Sequence, residues 1–159
     1  MNKHALVGKI IEQLFAELEG YRRAARTAHA EATHEQSRAE NKYDTRGLEA
    51  SYLAHGQARQ MMEMESAIAA FQNMEMRDFG AGDPIDTGAL VELEQDGERT
   101  FYFIGTGAGG TEVRHEKKGM LVITPQSSLG GQLLGKKQGD RLQLTLAGSQ
   151  GRCRVVKVA

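Results

Sequence analysis

Several kinds of protein chemistry are excluded by what this chain lacks. It has one cysteine, Cys153, among 159 residues. That rules out a disulfide framework and a cysteine-based zinc site, and it leads us to expect a reducing, cytoplasmic setting. Tryptophan is absent and aromatic residues make up 6%, so any aromatic-lined pocket must be assembled from few side chains. No apolar run approaches the ~18 residues that suggest a membrane span. The opening Met1-Asn2-Lys3-His4 leads into a charged amphipathic stretch with no signal-peptide core. Charge of one sign is also missing, with 20 Lys+Arg against 21 Asp+Glu and a net charge of -1. Binding nucleic acid by bulk charge scales with the phosphates neutralised, so that mode is not expected here. Secretion, membrane residence and zinc-finger chemistry are likewise not expected.

Proline and glycine are scarce in the first half only. Residues 1–78 hold four of the 19 glycines and no proline, whereas residues 79–159 hold the other fifteen and both prolines. Both residues are costly inside helices and useful in turns. The chain therefore reads as a helical part over 1–78, a link over 79–85 containing Gly80-Ala81-Gly82-Asp83-Pro84, and a strand-and-turn part over 86–159.

What the first part does contain is a seam. Val7, Ile11, Leu14, Leu18, Tyr21, Ala25, Ala28 and Ala32 recur at alternating spacings of four and three, which keeps one narrow apolar stripe toward a partner helix. A second seam runs Ala50, Ala54, Ala58, Met61, Met64, Ile68, Phe71. On both, large residues lie far from the middle of the segment and alanines near it. Folded back antiparallel, the pair is thick at its base and slender toward its tip. The bend is expected between residues 36 and 48, where Asn41 and Gly47 tolerate left-handed backbone. Asp44 or Thr45 is placed to cap the returning helix.

In the second part, strands are expected at 89–94, 100–104, 119–123, 141–146 and 152–158. Asp96-Gly97 supplies the first hairpin turn, and Ser127–Leu134 supplies a short helix closed by Gly135. This is an antiparallel sheet with one helix, giving an α+β chain. Gly105-Thr106-Gly107-Ala108-Gly109-Gly110 matches G-x-G-x-x-G, but that motif needs a following helix to offer its amides to a pyrophosphate. None is expected, so a mobile Gly-rich loop is the reading. The five histidines make no H-E-x-x-H pair and read as surface residues. Cys153 reads as packing in a Val-rich strand.

Acids and bases interleave around the bend: Glu31, Glu35, Glu40, Asp44 and Glu49 with Arg38, Lys42 and Arg46. A solvated face with i,i+4 ion pairs explains such a pattern. Carboxylates at the end of a thin rod can also be delivered into a pore too narrow for a globular domain. There two such oxygens can share a hard Mg²⁺ that activates a water for attack on a phosphodiester.

The chain as a whole resembles the Gre transcript-cleavage factors of bacterial RNA polymerase. Gly88-Ala89-Leu90-Val91-Glu92-Leu93-Glu94 resembles that family's opening strand, and Tyr102-Phe103-Ile104-Gly105 its second. The segment from Ile123 to Asp140, with Ser127-Ser128-Leu129-Gly130-Gly131-Gln132-Leu133-Leu134-Gly135-Lys136-Lys137-Gln138-Gly139-Asp140, resembles the signature SPLARALLGKKVGD. Arg154-Val155-Val156-Lys157-Val158 resembles the last strand. The resemblance implies an N-terminal antiparallel coiled-coil hairpin followed by an FKBP-like antiparallel sheet with one short helix. It also implies a monomeric, cytoplasmic elongation factor whose partners are RNA polymerase and the 3′ end of nascent RNA, with DNA binding among the family's attributes and no membrane. The implied role is that of an accessory to the polymerase's own nuclease, not an enzyme, with no cofactor of its own beyond Mg²⁺ shared with the polymerase.

At the tip the family carries D-L-K-E-N-A-E-Y, and two registers stay open. Aligned by distance to Gly88, the two acids fall on Thr45 and Leu48, with Asp44 and Glu49 each one place away. Aligned by local pattern, Glu40-Asn41 matches and the Asp becomes Ser37. The catalytic candidates are thus Asp44, Glu49 and Glu40, with Asp44 and Glu49 as the shared-metal ligands. Arg38, Lys42 and Arg46 are the candidates for RNA or channel contact. The alternative is a channel-occupying regulator that does not promote cleavage. A prolyl isomerase would need an aromatic-lined pocket built from Phe79, Phe101, Tyr102 and Phe103. A structural adaptor would dimerise through the hairpin.

Overall fold

In the computed structural model the backbone is described for residues 1–33, 46–146 and 149–159. Side chains are described for the same residues except 32, 46–54, 145, 146 and 149. The elements run α1 (Lys3–Thr33), α2 (Arg46–Gln72), β1 (Leu90–Gln95), β2 (Glu98–Ile104), β3 (Glu112–His115), β4 (Lys118–Ile123), α3 (Ser128–Leu133), β5 (Arg141–Leu146) and β6 (Ser149–Val158). The chain divides into two compact units, one formed by Glu12–Ile68 and the other by Met1–Ile11 with Ala69–Ala159. Residues 1–11 and 69–78, grouped by sequence with the helical part, thus fall in the same unit as the sheet.

The unit Glu12–Ile68 is an antiparallel helix pair. Arg22 reaches Glu65 at 3.2 Å, while Ala25 and His29 share a groove with Ala58 and Met61, so ascending numbers on α1 meet descending numbers on α2. Leu14, Leu18 and Ile68 are buried toward one end, and Ala28 is buried toward the other, with Ala25 and Ala58 half-buried beside it. The seam thus passes from leucine and isoleucine to alanine, as its sequence spacing predicts, and small residues let the two backbones draw together. Residues 12–33 span about 33 Å at 1.5 Å per residue. Gly47, expected in the bend, lies inside α2. A helix tolerates one glycine at a cost of about 1 kcal/mol.

The other unit is built on a six-stranded sheet of order β3-β4-β2-β1-β6-β5. All neighbours are antiparallel except β2 and β4, which run parallel with Phe101 opposite Met120 and Ile104 opposite Ile123. The sheet is therefore mixed, where the sequence suggested an antiparallel one. The cause is β3, a strand not anticipated, which forms a hairpin with β4 and so brings β4 back alongside β2 in the same direction. The β1–β2 hairpin turns at Asp96 (φ 51) and Gly97 (φ 82) as expected. The β3–β4 hairpin turns at Glu116 (φ 50) and Lys117 (φ 64), positions where glycine or asparagine is the usual signal.

One face of the sheet packs against α3. Val91, Leu93, Ile104, Ile123, Leu144, Cys153 and Val155 meet Leu129 and Leu133 there. On the other face Phe103 lies under Phe71, with ring centroids 6.2 Å apart, and Leu6, Val7 and Ile10 are buried in the same unit. Lys3 is buried with them. Its ammonium donates to the carbonyls of Arg77 and Gly88 and sits 4.8 Å from the Phe79 ring, and burial lowers its pKa. Residues 79–85, expected as a link, are fastened to this unit. Phe79 and Ile85 are buried in its core, and Ile85 exchanges backbone hydrogen bonds with Gly135 and Lys136.

Candidate functional site

The tip candidates Arg38, Glu40, Lys42 and Asp44 lie outside the described residues. Arg46 and Glu49 share the first turn of α2 by backbone, and their side chains also lie outside the described ones. What the structure does describe is the seam that leads to that end and the signature segment from Ile123 to Asp140.

In the signature segment nearly every position has a local structural task. Ser127 caps α3 by two hydrogen bonds, its Oγ accepting from Gly130 N at 3.0 Å and donating to Thr124 O at 2.7 Å. Gly130 packs so close to the Thr124 carbonyl that a Cβ would overlap it. Leu129 and Leu133 enter the core and Leu134 is half-buried, so these leucines hold the helix on the sheet. Gly135 closes α3 at φ 79. Asp140 Oδ2 accepts from Lys137 N at 2.8 Å, and Gly139, at φ 92, donates to Val155 O at 2.8 Å. The exposed residues of the segment are Gln126, Ser128, Gly131 and the run from Gly135 to Asp140.

The Gly-rich loop 105–110 is followed by β3 and not by a helix. The amides at its two ends are engaged on β4, Gly105 N donating to Ile123 O and Gly110 N to Val122 O, and Thr111 N just beyond donates to Ala108 O. With a strand after it, the loop lacks the helix N-terminus that would meet a pyrophosphate. The same bonds fasten both ends of the loop to β4. Gly105 is also wedged, since a Cβ there would lie 2.8 Å from Phe71 Cζ and 2.9 Å from Val122 Cγ1.

Histidine placement follows expectation at His4, His29 and His55, which are exposed, while His34 lies outside the described residues. His115 departs from it, being 6% exposed. Alternation along the unanticipated β3 turns it to the same face as Val113. Its Nε2 is 3.4 Å from Glu116 Oε1 without hydrogen-bond geometry, and both ring nitrogens lack a hydrogen-bond partner. Cys153 is a buried free thiol with Sγ 3.6 Å from Leu142 O, and burial raises its pKa. The four aromatics of the second part do not gather. Phe103 and Phe101 alternate with Tyr102 along β2, and Phe79 is buried beside Lys3 and Arg77. Among the described residues no three His, Cys, Asp or Glu side chains converge on a metal site.

The described chain runs as a helix pair, α1 and α2, followed by the strands of the sheet. No protein-family model matches it, and no curated protein does. Among solved structures it is similar to GreA factor homolog 1 (Gfh1) of Thermus thermophilus, with 25% identity over 94% of both chains and a TM-score of 0.40. It is also similar to Gfh1 of Thermus aquaticus, with 26% identity over 92% of both chains and a TM-score of 0.41. A GreA/GreB transcription elongation factor from Nitrosomonas europaea shares 17% identity over 70% of this chain and 91% of that one, at a TM-score of 0.37. At these TM-scores the superpositions are loose, and no statement of activity follows from them.

Proposed function

We propose that this chain is a Gre-like elongation factor that binds RNA polymerase, inserts its helix pair into the secondary channel and acts there on backtracked RNA. The observation that carries this reading is the signature segment 123–140 following a helix pair whose seam narrows from leucine to alanine toward the end where α2 begins. The signature residues supply caps, turns and core leucines, so they support a sheet unit of that family's kind, and the alanine seam supports a slender end to the helix pair.

The polymerase would supply the nuclease chemistry. Carboxylates are hard oxygen donors and suit Mg²⁺, so Asp44 with Glu49, or Glu40 in the other register, is the pair that would help hold a metal shared with the polymerase. Such an ion supplies an activated water. Arg38, Lys42 and Arg46 would meet the extruded RNA 3′ end or acidic channel walls. The second reading, a channel-occupying regulator without cleavage, is favoured by one observation: neither register restores the family's Asp and Glu, and a shift of one helical position turns a side chain by about 100°.

Capture of core RNA polymerase by the purified chain, followed by a cleavage assay on backtracked complexes, tests both. Polymerase capture with cleavage lost in Asp44→Ala/Glu49→Ala supports the first reading. Cleavage unchanged in that variant and in Glu40→Ala removes the catalytic role. Capture with no cleavage by wild type selects the regulator, and no capture at all refutes both.

A further inference from the structure

β5 is an edge strand of the sheet, with β6 on one side and, among the described residues, no strand on the other. An edge presents unpaired backbone donors and acceptors to any strand of matching pattern. Leu142 and Leu144 turn toward the α3 face of the sheet, so Arg141 and Gln143 turn to the opposite face. Register extends that row across β6, because Arg141 stands opposite Arg154 and Gln143 opposite Arg152.

Three arginines therefore share one face within two strands, lining an open groove of about 700 Å³ with Glu94 and Asp96 at its far side. Like charges set directly opposite each other on paired strands are unfavourable, and neighbouring acids give only partial relief. Glu94 binds Arg154 at 3.5 Å and is also approached by Arg99 at 3.8 Å. Arg141 and Arg152, both exposed, have no ion-pair partner among the described residues.

We propose that the β5 edge and the Arg141–Arg152–Arg154 face form a docking site for an extended acidic segment of a partner protein. The segment adds as a seventh strand, with acidic residues at alternate positions over the arginines and apolar residues on the side of Leu142 and Leu144. This mode joins main-chain bonds for affinity to alternate side chains for specificity. A second copy of β5 does not fit, since the strand Arg-Leu-Gln-Leu-Thr-Leu carries no acid to meet the arginines. A nucleic-acid backbone fits poorly, because Glu94 and Asp96 stand within the groove and repel a continuous polyanion. The proposal is independent of the polymerase reading.

The test uses the full chain and a fluorescein-labelled seven-residue peptide alternating Glu and Val. A peptide of the same composition with its four Glu grouped together and a single-stranded oligonucleotide of similar charge serve as comparisons. Saturable anisotropy is expected for the alternating peptide, weakened about tenfold in Arg141→Gln/Arg152→Gln and further in Arg141→Glu/Arg152→Glu. Slowed hydrogen exchange of β5 amides on binding is also expected. Circular dichroism of each variant verifies folding, and the glutamine pair removes the charge without reversing it if the charge reversal unfolds. The proposal is overturned if the alternating peptide does not bind, or if the grouped peptide or the oligonucleotide binds as tightly through the same arginines. Binding that leaves β5 exchange unchanged overturns it as well.

Discussion

Replacing Gly105 by alanine tests whether the Gly-rich loop is a packed corner of the fold. The new Cβ would stand 2.8 Å from Phe71 Cζ, 2.9 Å from Val122 Cγ1 and 3.1 Å from Gly107 O, where unstrained carbon contacts lie at roughly 3.5–4.0 Å. Phe71 and Val122 are almost fully buried, and Phe71 is further confined by the Phe103 ring, so neither can retreat into solvent. Overpacking of this kind costs about 1–3 kcal/mol, and two buried neighbours place this case near the upper half. At roughly 2–4 °C per kcal/mol for a chain of this size, Tm should fall by about 4–10 °C. Urea denaturation followed by far-UV circular dichroism and by tyrosine fluorescence measures the loss, with Tyr102 on β2 as the nearest reporter. Shortening the opposing ring gives the control. Phe71→Leu destabilises by itself, yet Gly105→Ala/Phe71→Leu should cost less than the sum of the two, with a coupling of about 1 kcal/mol. A Gly105→Ala midpoint equal to wild type, or strict additivity with Phe71→Leu, would refute the wedge and return the loop to a solvent-exposed role.

Ser127→Ala removes the α3 cap and should cost about 1 kcal/mol, seen as a lower urea midpoint with an unchanged slope; no change would show that Gly130 N–H finds water instead. Burial raises the Cys153 thiol above its ordinary 9.0. The unfolded chain therefore loses that proton first as pH rises, and wild type should lose stability relative to Cys153→Ala above about pH 9. Denaturation of both proteins from pH 7 to 10 checks the sign, and parallel curves would contradict it. Across the helix pair, half-buried Arg22 binds both Glu19 at 2.7 Å and Glu65 at 3.2 Å, the two carboxylates being exposed. The Arg22–Glu65 coupling in a double-mutant cycle should be small and should vanish in 1 M salt; a salt-independent coupling would mean that the pair is desolvated.

Much of the architecture was legible from spacing alone. The four-and-three repeat located the seam of the helix pair, with Leu14, Leu18, Ala28, Ile68 and Phe71 buried where it places them. Turn chemistry located the Asp96-Gly97 hairpin and the glycine at position 135 that closes α3. These features depend on neighbours a few residues away, so local pattern carries them. β3 was not legible, because Glu112-Val113-Arg114-His115 has two apolar-facing positions and its turn at Glu116-Lys117 lacks the usual residues. With β3 went the parallel pairing of β2 with β4 and the burial of His115.

By itself the sequence determined the helix pair, the strand-and-turn part and the signature segment, since periodicity, turn propensity and capping act within a few residues. Only the tertiary structure decided which ends of α1 and α2 pack with the sheet and that the Gly105 and Gly110 amides are spent on β4. It alone also showed that Arg141, Arg152 and Arg154 share one face. Those outcomes depend on register and on contacts between residues far apart in the chain, which no short window of residues specifies.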